Sequence, residues 1–259
     1  MRHLNARTTF AAIAAVAALT GGSRAQADPV SQPYRLAMCA RPAVVRILDG
    51  YAGKYRWKDG QIYPVARIGS GSGFFLNPSG YIATNAHVTM MTHAGEEAGR
   101  EMLFEEFVVS LAKAKGDDPE KVLKDEKTVA YIRENAKLVQ FMPVHLVTTA
   151  DGSRFPFEIK TFGVPDAGTG KDVSVIKIEV ENAPVLKLGD DSRTKLLDRV
   201  LVIGYPGAAE SDSLDDQAKL VASTTEGSVS AQKYAATGAP ILQVSAPATH
   251  GNSGGPILN

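Results

Sequence analysis

A serine flanked by glycines lies within residues 251–259 of the sequence. Because glycine adopts positive φ angles without steric cost, a tight turn here lets the Ser253 hydroxyl project into a cleft. Consecutive backbone N–H groups of such a turn can also converge on one point and stabilise a developing oxyanion. A glycine-rich surface turn without chemistry has the same local pattern. An upstream histidine and an upstream acid in matching contexts would distinguish the two interpretations.

Candidates for a base and for an acid both occur upstream of this serine. A serine hydroxyl is a poor nucleophile at neutral pH, and its base needs a third group that fixes the tautomer of the ring. His87 is the candidate base because it ends a predicted strand beside small residues. Asp172 is the candidate acid because it stands where a polar loop meets a hydrophobic strand, and Asp166 is the fallback. The order His87, Asp172, Ser253 carries this hypothesis, since each residue alone is more often structural.

The other histidines fit the role of the base less well; they are His3, His93, His145 and His250. His3 belongs to the N-terminal segment, His93 begins a helical stretch, and His145 lies within an alternating strand. His250 competes by its proximity to the serine. Side chains of sequence neighbours usually point apart, so His87 stays the preferred base.

The Gly-x-Ser-x-Gly string also matches the nucleophile elbow of the α/β-hydrolases. That fold needs its acid and its histidine after the serine, and only six residues follow Ser253 in this sequence. The sequence also lacks a run of alternating strands and helices. We therefore do not expect an α/β-hydrolase.

Short β-rich stretches separated by turn signals surround the three candidates. Residues 68–88 predict a hairpin whose second strand runs into His87, and residues 173–180 predict a strand headed by Asp172. Further strands are predicted at 43–48, 138–149, 155–162, 199–205, 219–223, 227–231 and 241–244. Many short strands with regular turns predict an all-β fold, either a barrel or a sandwich.

A stretch with a helical pattern of apolar residues interrupts these strands between about residues 94 and 137. Apolar residues recur at helical spacing from residue 96 to 115, and Pro119 follows a break and begins another helical pattern. The sequence therefore predicts a helical insertion on a β scaffold. Its apolar face either packs on the body of the protein or forms a lid or an oligomer contact. A homo-oligomer is therefore one of the possibilities that the sequence leaves open.

The first 27 residues have the composition of a signal peptide. Arg2 and Arg7 precede an alanine-rich apolar run at 10–20, and Ala25 and Ala27 are small residues at the two positions that a signal peptidase inspects. The apolar run is about half as long as the roughly 20 residues of a membrane span. We expect cleavage after Ala27, a periplasmic or secreted protein, and no membrane span in the mature chain.

Charge and cysteine content restrict the partners. Lys plus Arg and Asp plus Glu each number 28, so the net charge gives no indication of nucleic acid as a partner. Cys39 is the only cysteine and cannot form a disulfide within the chain. Its apolar neighbours predict a buried structural thiol.

Taken together, the motifs resemble the trypsin-like (chymotrypsin-fold) serine peptidases, and most closely their HtrA/Deg-type bacterial branch. Three motifs carry the resemblance: Gly71-Ser72-Gly73-Phe74 leading to Thr84-Asn85-Ala86-His87-Val88, Asp172-Val173-Ser174-Val175-Ile176-Lys177-Ile178, and Gly251-Asn252-Ser253-Gly254-Gly255. Two further stretches, 188–206 and 227–230, also look like that branch. The combination is specific, although any one motif is not.

The resemblance implies a role for each candidate. His87 is implied as the general base, Asp172 as its orienting acid and Ser253 as the nucleophile. An oxyanion hole is implied from the backbone N–H groups of Gly251 and Ser253. The implied activity is that of a serine endopeptidase that cleaves protein or peptide substrates through an acyl-enzyme, with neither metal nor cofactor.

The resemblance also implies two six-stranded Greek-key barrels of the trypsin-like type. We expect an N-terminal half at 28–184, which carries the helical insertion, and a C-terminal half at 185–259. Family members continue through further strands of the second barrel, so we expect that barrel to be incomplete here. The alternative function is a non-catalytic peptide-binding or scaffold protein with the same fold.

Overall fold

The computed structural model describes residues 31–165, 171–207, 215 and 218–259. The predicted signal peptide and the fallback acid Asp166 lie outside these residues. Residues Gln32–Asn259 form one compact unit. The boundary between two halves near residue 184 stays a prediction.

Strands make up most of the described secondary structure. They are β1 (Val44–Trp57), β2 (Ile62–Phe75), β3 (Tyr81–Thr84), β4 (Ala136–Thr148), β5 (Arg154–Pro156), β6 (Glu158–Phe162), β7 (Ser174–Lys177), β8 (Arg199–Gly204), β9 (Ser223–Tyr234), β10 (Pro240–Val244) and β11 (Ile257–Leu258). The helices are α1 (Gln32–Ala40), α2 (Met90–Lys115), α3 (Pro119–Lys124) and α4 (Glu126–Asn135). None of the described helices is long and apolar enough to cross a membrane.

The first sheet has seven antiparallel strands in the order β5-β4-β1-β2-β3-β7-β6. Its two edge strands are consecutive in the chain, with only Phe157 between them. The sheet therefore curls back towards its own beginning. Alternate residues of β1, such as Val45 and Ile47, point inwards and are fully buried. They pack with Phe75, Ile82 and other buried residues in the core of this sheet.

The second sheet has four strands in the order β10-β9-β8-β11. The expectation of six strands in each barrel therefore differs from the seven and four strands of the described residues. In the first sheet the difference arises at Phe157, where one predicted strand is split. The part before Phe157 pairs with β4 and the part after it pairs with β7. The mostly β architecture and the inserted helices are confirmed.

The helical insertion packs on the first sheet near the turn that connects β1 and β2. Buried residues of α2 recur at helical spacing and form one cluster with aromatic residues of β1 and β2: Leu103, Phe104, Phe107, Val108 and Leu111, with Tyr51, Tyr55, Trp57 and Tyr63. Gly99 allows the close approach, because a Cβ there would lie 2.4 Å from a ring carbon of Tyr51. The face therefore packs on the body of the protein, and an oligomer contact stays a prediction.

Acidic side chains accept hydrogen bonds at the starts of the three insertion helices. The buried carboxylate of Asp49 in β1 accepts hydrogen bonds from the backbone N–H groups of Met91 (2.8 Å) and Thr92 (3.0 Å) at the start of α2. Asp118 and Asp125 accept from backbone N–H groups at the starts of α3 and α4. A kink interrupts α2 at Gly95, where φ is 85°. The cap on α2 fixes the helix directly after the segment that carries His87.

Cys39 is exposed, so the prediction of a buried thiol is wrong. The residue lies on the short helix α1, whose inward face carries Ala37 and Ala40. Side chains of a helix recur on one face every three or four residues, which places Cys39 on the outer face. Its apolar neighbours in the sequence therefore did not predict its environment.

Candidate active site

Pairing between strands positions His87 and Asp172. Strand β3 pairs with β7, and Thr84 lies opposite Ser174. Two residues beyond each of these strand ends, the chain reaches Ala86 on one side and Asp172 on the other. A short 3₁₀ turn at Ala86–Thr89 follows β3 and presents His87. The register of the sheet thus brings a histidine and a carboxylate together from positions 85 residues apart.

Two hydrogen bonds join these residues. The carboxylate Oδ2 of Asp172 lies 2.6 Å from the ring Nδ1 of His87, and Oδ1 accepts the backbone N–H of His87 at 2.9 Å. Because an ionised carboxylate only accepts hydrogen bonds, Nδ1 must carry the proton, which leaves Nε2 of a neutral ring free to accept one. The backbone oxygen of Asp172 also accepts from Nδ2 of Asn85 at 2.6 Å.

The two side chains differ in exposure. The Asp172 side chain is 5% exposed, whereas the His87 ring is 41% exposed. The carboxylate is therefore withdrawn from solvent while the ring remains open to a ligand. This arrangement suits an acid that orients a base and does not itself exchange protons with solvent.

The segment around Ser253 is a tight turn that requires glycine at two positions. Gly251 has φ 96° and Gly254 has φ 84°, in the left-handed region that favours glycine. A Cβ at Gly251 would lie 2.3 Å from the backbone oxygen of Tyr205, and one at Gly254 would lie 2.2 Å from Oγ1 of Thr84. Both glycines therefore allow close approach to neighbouring chain segments as well as the turn itself.

Backbone hydrogen bonds define the turn further. Asn252 N donates to Thr249 O at 3.0 Å, and Gly255 N donates to Asn252 O at 2.9 Å. Within the described part of the chain, the N–H groups of Gly251 and Ser253 have no hydrogen-bond acceptor. These are the two donors that the resemblance implies for an oxyanion hole, and that role stays a prediction.

The turn is held against the end of the strand that leads to His87. Ser72 N donates to Ser253 O at 2.8 Å, and the position of a Gly254 Cβ lies 2.9 Å from the backbone nitrogen of Asn85. Ser253 and Asn85 also line the same open cleft of about 630 Å³. Among the described residues, the Ser253 hydroxyl has no hydrogen-bond partner. The roles of His87, Asp172 and Ser253 as a triad therefore stay a prediction.

The other histidines of the described ranges lie in different environments. His93 stacks on Phe162 with ring centroids 3.6 Å apart, and His145 contacts Tyr51 edge-on within the first sheet. His250 is exposed on the wall of the cleft. Of the described histidines, only His87 lies within ion-pair distance of a carboxylate.

Sequence reasoning missed one residue that contacts the serine turn. The glycines around Ser72 allow a close crossing of chain segments, because a Cβ at Gly71 would lie 2.5 Å from a methyl group of Val88. The role of the Ser72 side chain was not predicted. The sequence signal for this role is a serine between two glycines, since a small hydroxyl is the polar group that fits where two chain segments cross closely.

A mostly β scaffold of two antiparallel sheets with inserted helices agrees with the class of trypsin-like domains. A family model described as the trypsin-like peptidase domain matches residues 71–259. The protein belongs to this family.

Curated relatives of this chain are serine proteases by name. A DegP-like periplasmic serine endoprotease of Halomonas elongata is 31% identical over 132 residues, covering 50% of this chain and 24% of the relative. A protein of the same name from Chlamydia pneumoniae is 28% identical over 193 residues, covering 73% and 26%. The mitochondrial serine protease HTRA2 of Drosophila willistoni is 32% identical over 132 residues, covering 49% and 28%. The matches thus span about a quarter of each relative.

A solved structure similar to this chain is that of the HtrA-type protease AlgW with a decapeptide. It is 20% identical, with a TM-score of 0.49, and the alignment covers 86% of this chain and 54% of that one.

Proposed function

We propose that the protein is a serine endopeptidase that hydrolyses peptide bonds in protein substrates through a Ser-His-Asp triad. The observation that carries the proposal is the contact of the buried Asp172 carboxylate with Nδ1 of His87 at 2.6 Å. Membership of the trypsin-like peptidase domain family supports it. The anchoring of the Ser253 turn beside the same strand end supports it further.

In the proposed reaction, Ser253 Oγ attacks the carbonyl carbon of the scissile bond while His87 Nε2 takes the hydroxyl proton. The oxyanion of the tetrahedral intermediate is stabilised by the N–H groups of Gly251 and Ser253. The intermediate collapses, the amine leaves with the proton from His87, and an acyl-enzyme remains. Water, deprotonated by His87, then hydrolyses the acyl-enzyme. Asp172 stays ionised and stabilises the imidazolium, so the chemistry requires neither metal nor cofactor.

We place this activity outside the cytoplasm. The signal-peptide pattern of the first 27 residues supports export, and relatives named as periplasmic support it as well. In the same proposal, the four-stranded sheet is part of the second barrel of a trypsin-like fold.

A fluorophosphonate probe and unfolded casein test the proposal with the purified full chain. We expect labelling at Ser253, cleavage of casein, and loss of both in Ser253→Ala. Ser245→Ala is the matched control, because it removes an exposed hydroxyl from the segment just before the turn and should leave both signals unchanged. A folded wild-type protein that is neither labelled nor proteolytic would contradict the proposal.

The second candidate is a non-catalytic peptide-binding protein with the same fold. One observation favours it: the Ser253 hydroxyl makes no hydrogen bond to His87 in the described structure. Such bonds are often long before a substrate is bound, so this observation counts for less than the His87–Asp172 contact. Casein-derived peptides that bind equally to wild type and Ser253→Ala, without hydrolysis by either, would support this second function.

A further inference from the structure

One buried serine of β2 makes four hydrogen bonds at the base of the candidate site. Ser72 is fully buried. Its hydroxyl donates to Gly251 O at 2.6 Å and accepts from Tyr205 N at 2.9 Å. Its backbone N–H donates to Ser253 O at 2.8 Å, and its backbone oxygen accepts from Oγ1 of Thr84 at 2.7 Å. A single residue thus links the serine turn, the end of β8 and the end of β3.

The Ser72 hydroxyl satisfies two backbone groups at once. A hydroxyl has one proton to donate and lone pairs that accept, and here the donor meets a carbonyl while an acceptor site meets an N–H. Removing the hydroxyl would leave Gly251 O and Tyr205 N without these partners. A buried backbone group without a partner costs about 1–3 kcal/mol, so the local chain must shift or admit water.

Ser72 holds the serine turn on both sides of Asn252. The side chain holds the carbonyl of Gly251, which fixes the peptide plane that leads into Asn252. The backbone N–H of Ser72 holds the carbonyl of Ser253, which lies two residues after Gly251. These two bonds restrain the rotation of the chain between them, and this stretch of chain carries the Ser253 side chain.

The fourth hydrogen bond connects Ser72 to the strand that precedes His87. Thr84 is the last residue of β3, and His87 follows in the next turn. The path from Ser253 to His87 through Ser72 and Thr84 therefore contains only backbone and short side chains, which have few rotatable bonds. The neighbouring glycines keep this crossing close, since a Cβ at Gly73 would lie 2.7 Å from a methyl group of Ile82.

We infer that Ser72 is a positioning residue that sets the placement of the Ser253 hydroxyl relative to His87 and of the Ser253 N–H relative to the oxyanion. The inference rests on the proposed serine peptidase function. Ser72 does not touch substrate and transfers no proton. Its hydroxyl acts through the turn that it holds.

Kinetics of Ser72→Ala test this role. We expect kcat for a peptide ester to fall about 10- to 100-fold, since displacement of a reacting group by about 1 Å has an effect of this size. KM should stay within about twofold, and the pH midpoint of the rate should not move, because the His87–Asp172 contact is untouched. The matched control is Ser230→Ala, which removes a hydroxyl that donates to Gln243 O at 3.1 Å between β9 and β10. This control should retain the wild-type kcat.

Hydrogen exchange of the backbone amides separates this inference from the proposed function. In Ser72→Ala we expect faster exchange at residues 250–255 and unchanged exchange in β1 and β4, whether or not the wild type is catalytic. If the wild type proves inactive, the proposed function fails and this local exchange pattern alone decides the role of Ser72. An unchanged kcat in an active enzyme, or unchanged exchange at 250–255, would overturn the inference. If Ser72→Ala does not fold, Ser72→Cys carries the same measurements, because its thiol occupies the site with weaker hydrogen bonds.

Discussion

Asp172 holds His87 at two points, through the ring Nδ1 at 2.6 Å and through the backbone N–H at 2.9 Å. The two oxygens of one carboxylate therefore fix both the position of the residue and the rotation of its ring. Burial of Asp172 keeps water from competing for these bonds. A histidine held in this way keeps its Nε2 in a constant orientation, on a ring that is 41% exposed.

Asp172→Asn should abolish most of the activity. An amide that keeps the contact with the backbone N–H of His87 presents its NH₂ group to Nδ1, so the ring is held in the wrong tautomer. We expect kcat for a peptide ester to fall on the order of 10⁴-fold, as the loss of a triad acid does elsewhere. Asp117→Asn, an exposed acid at the end of α2, is the control and should leave kcat unchanged. A loss of less than tenfold in folded Asp172→Asn would contradict the assigned role.

Gly254→Ala should be more destabilising than Gly238→Ala. Both glycines have φ between 81° and 84°, so each substitution carries the same backbone penalty of about 1–2 kcal/mol. Only Gly254 is crowded, because its Cβ would lie 2.3 Å from the backbone oxygen of Ser72, whereas a Cβ at Gly238 has no atom within 4 Å. Urea unfolding should give the larger loss of unfolding free energy for Gly254→Ala. Fluorophosphonate labelling should slow in this variant alone, and equal effects of the two substitutions would show that the turn is not tightly packed.

Local patterns in the sequence predicted the elements that carry the candidate site. The alternation at residues 81–84 and the turn before it predicted the hairpin that leads to His87. The helical spacing around Leu103 and Phe107 predicted the insertion, although α2 begins at Met90, earlier than expected. These features depend on residues close together in the chain, which is why one sequence was enough to find them.

Features that depend on distant contacts were not predictable in the same way. The hydroxyl of Ser72 meets Gly251 across 179 residues, and no local pattern encodes that contact. The split of one strand at Phe157 arises because its two parts pair with different partners. Cys39 has apolar neighbours but lies on the outer face of its helix. In each of these three cases the structure depends on tertiary packing, and local sequence propensity carries no information about such contacts.

The stability of the protein should fall in mild acid partly because of His145. Burial lowers the pKa of His145, and the nearby Asp49 and Glu96 oppose this shift. The folded state therefore binds fewer protons than the unfolded state just below the ordinary histidine pKa of about 6.5. The contribution of His145 is fully present above that pH and is lost as the pH falls through the window between the unfolded and folded pKa values.

His145→Phe tests this pH dependence because it keeps a planar ring against Tyr51 and removes the titrating group. Urea unfolding at pH 7.5 and pH 5.0 should show a smaller difference in unfolding free energy for the variant than for wild type. His250→Gln, which alters an exposed histidine, should retain the wild-type difference. An unchanged difference in His145→Phe would exclude this residue as a source of the acid sensitivity.

Phe107→Ala should separate the stability of the insertion from the chemistry of the cleft. Phe107 is fully buried and its ring stacks on Tyr55 at a centroid distance of 4.7 Å. Truncation of such a side chain costs about 3–5 kcal/mol of unfolding free energy. The side chain lies roughly 18 Å along the helix beyond the kink at Gly95, so the labelling rate of folded molecules at Ser253 should not change.

Leu123→Ala is the control for this substitution, because Leu123 is 40% exposed on α3 and its truncation should cost less than about 1 kcal/mol. Thermal unfolding measures both costs, and labelling well below the midpoint measures the reactivity of the folded state. Slower labelling in folded Phe107→Ala, with no change in Leu123→Ala, would mean that packing of α2 is transmitted through the Asp49 cap to the segment that carries His87. That result would make the insertion part of the catalytic framework, whereas unchanged labelling assigns it to stability alone.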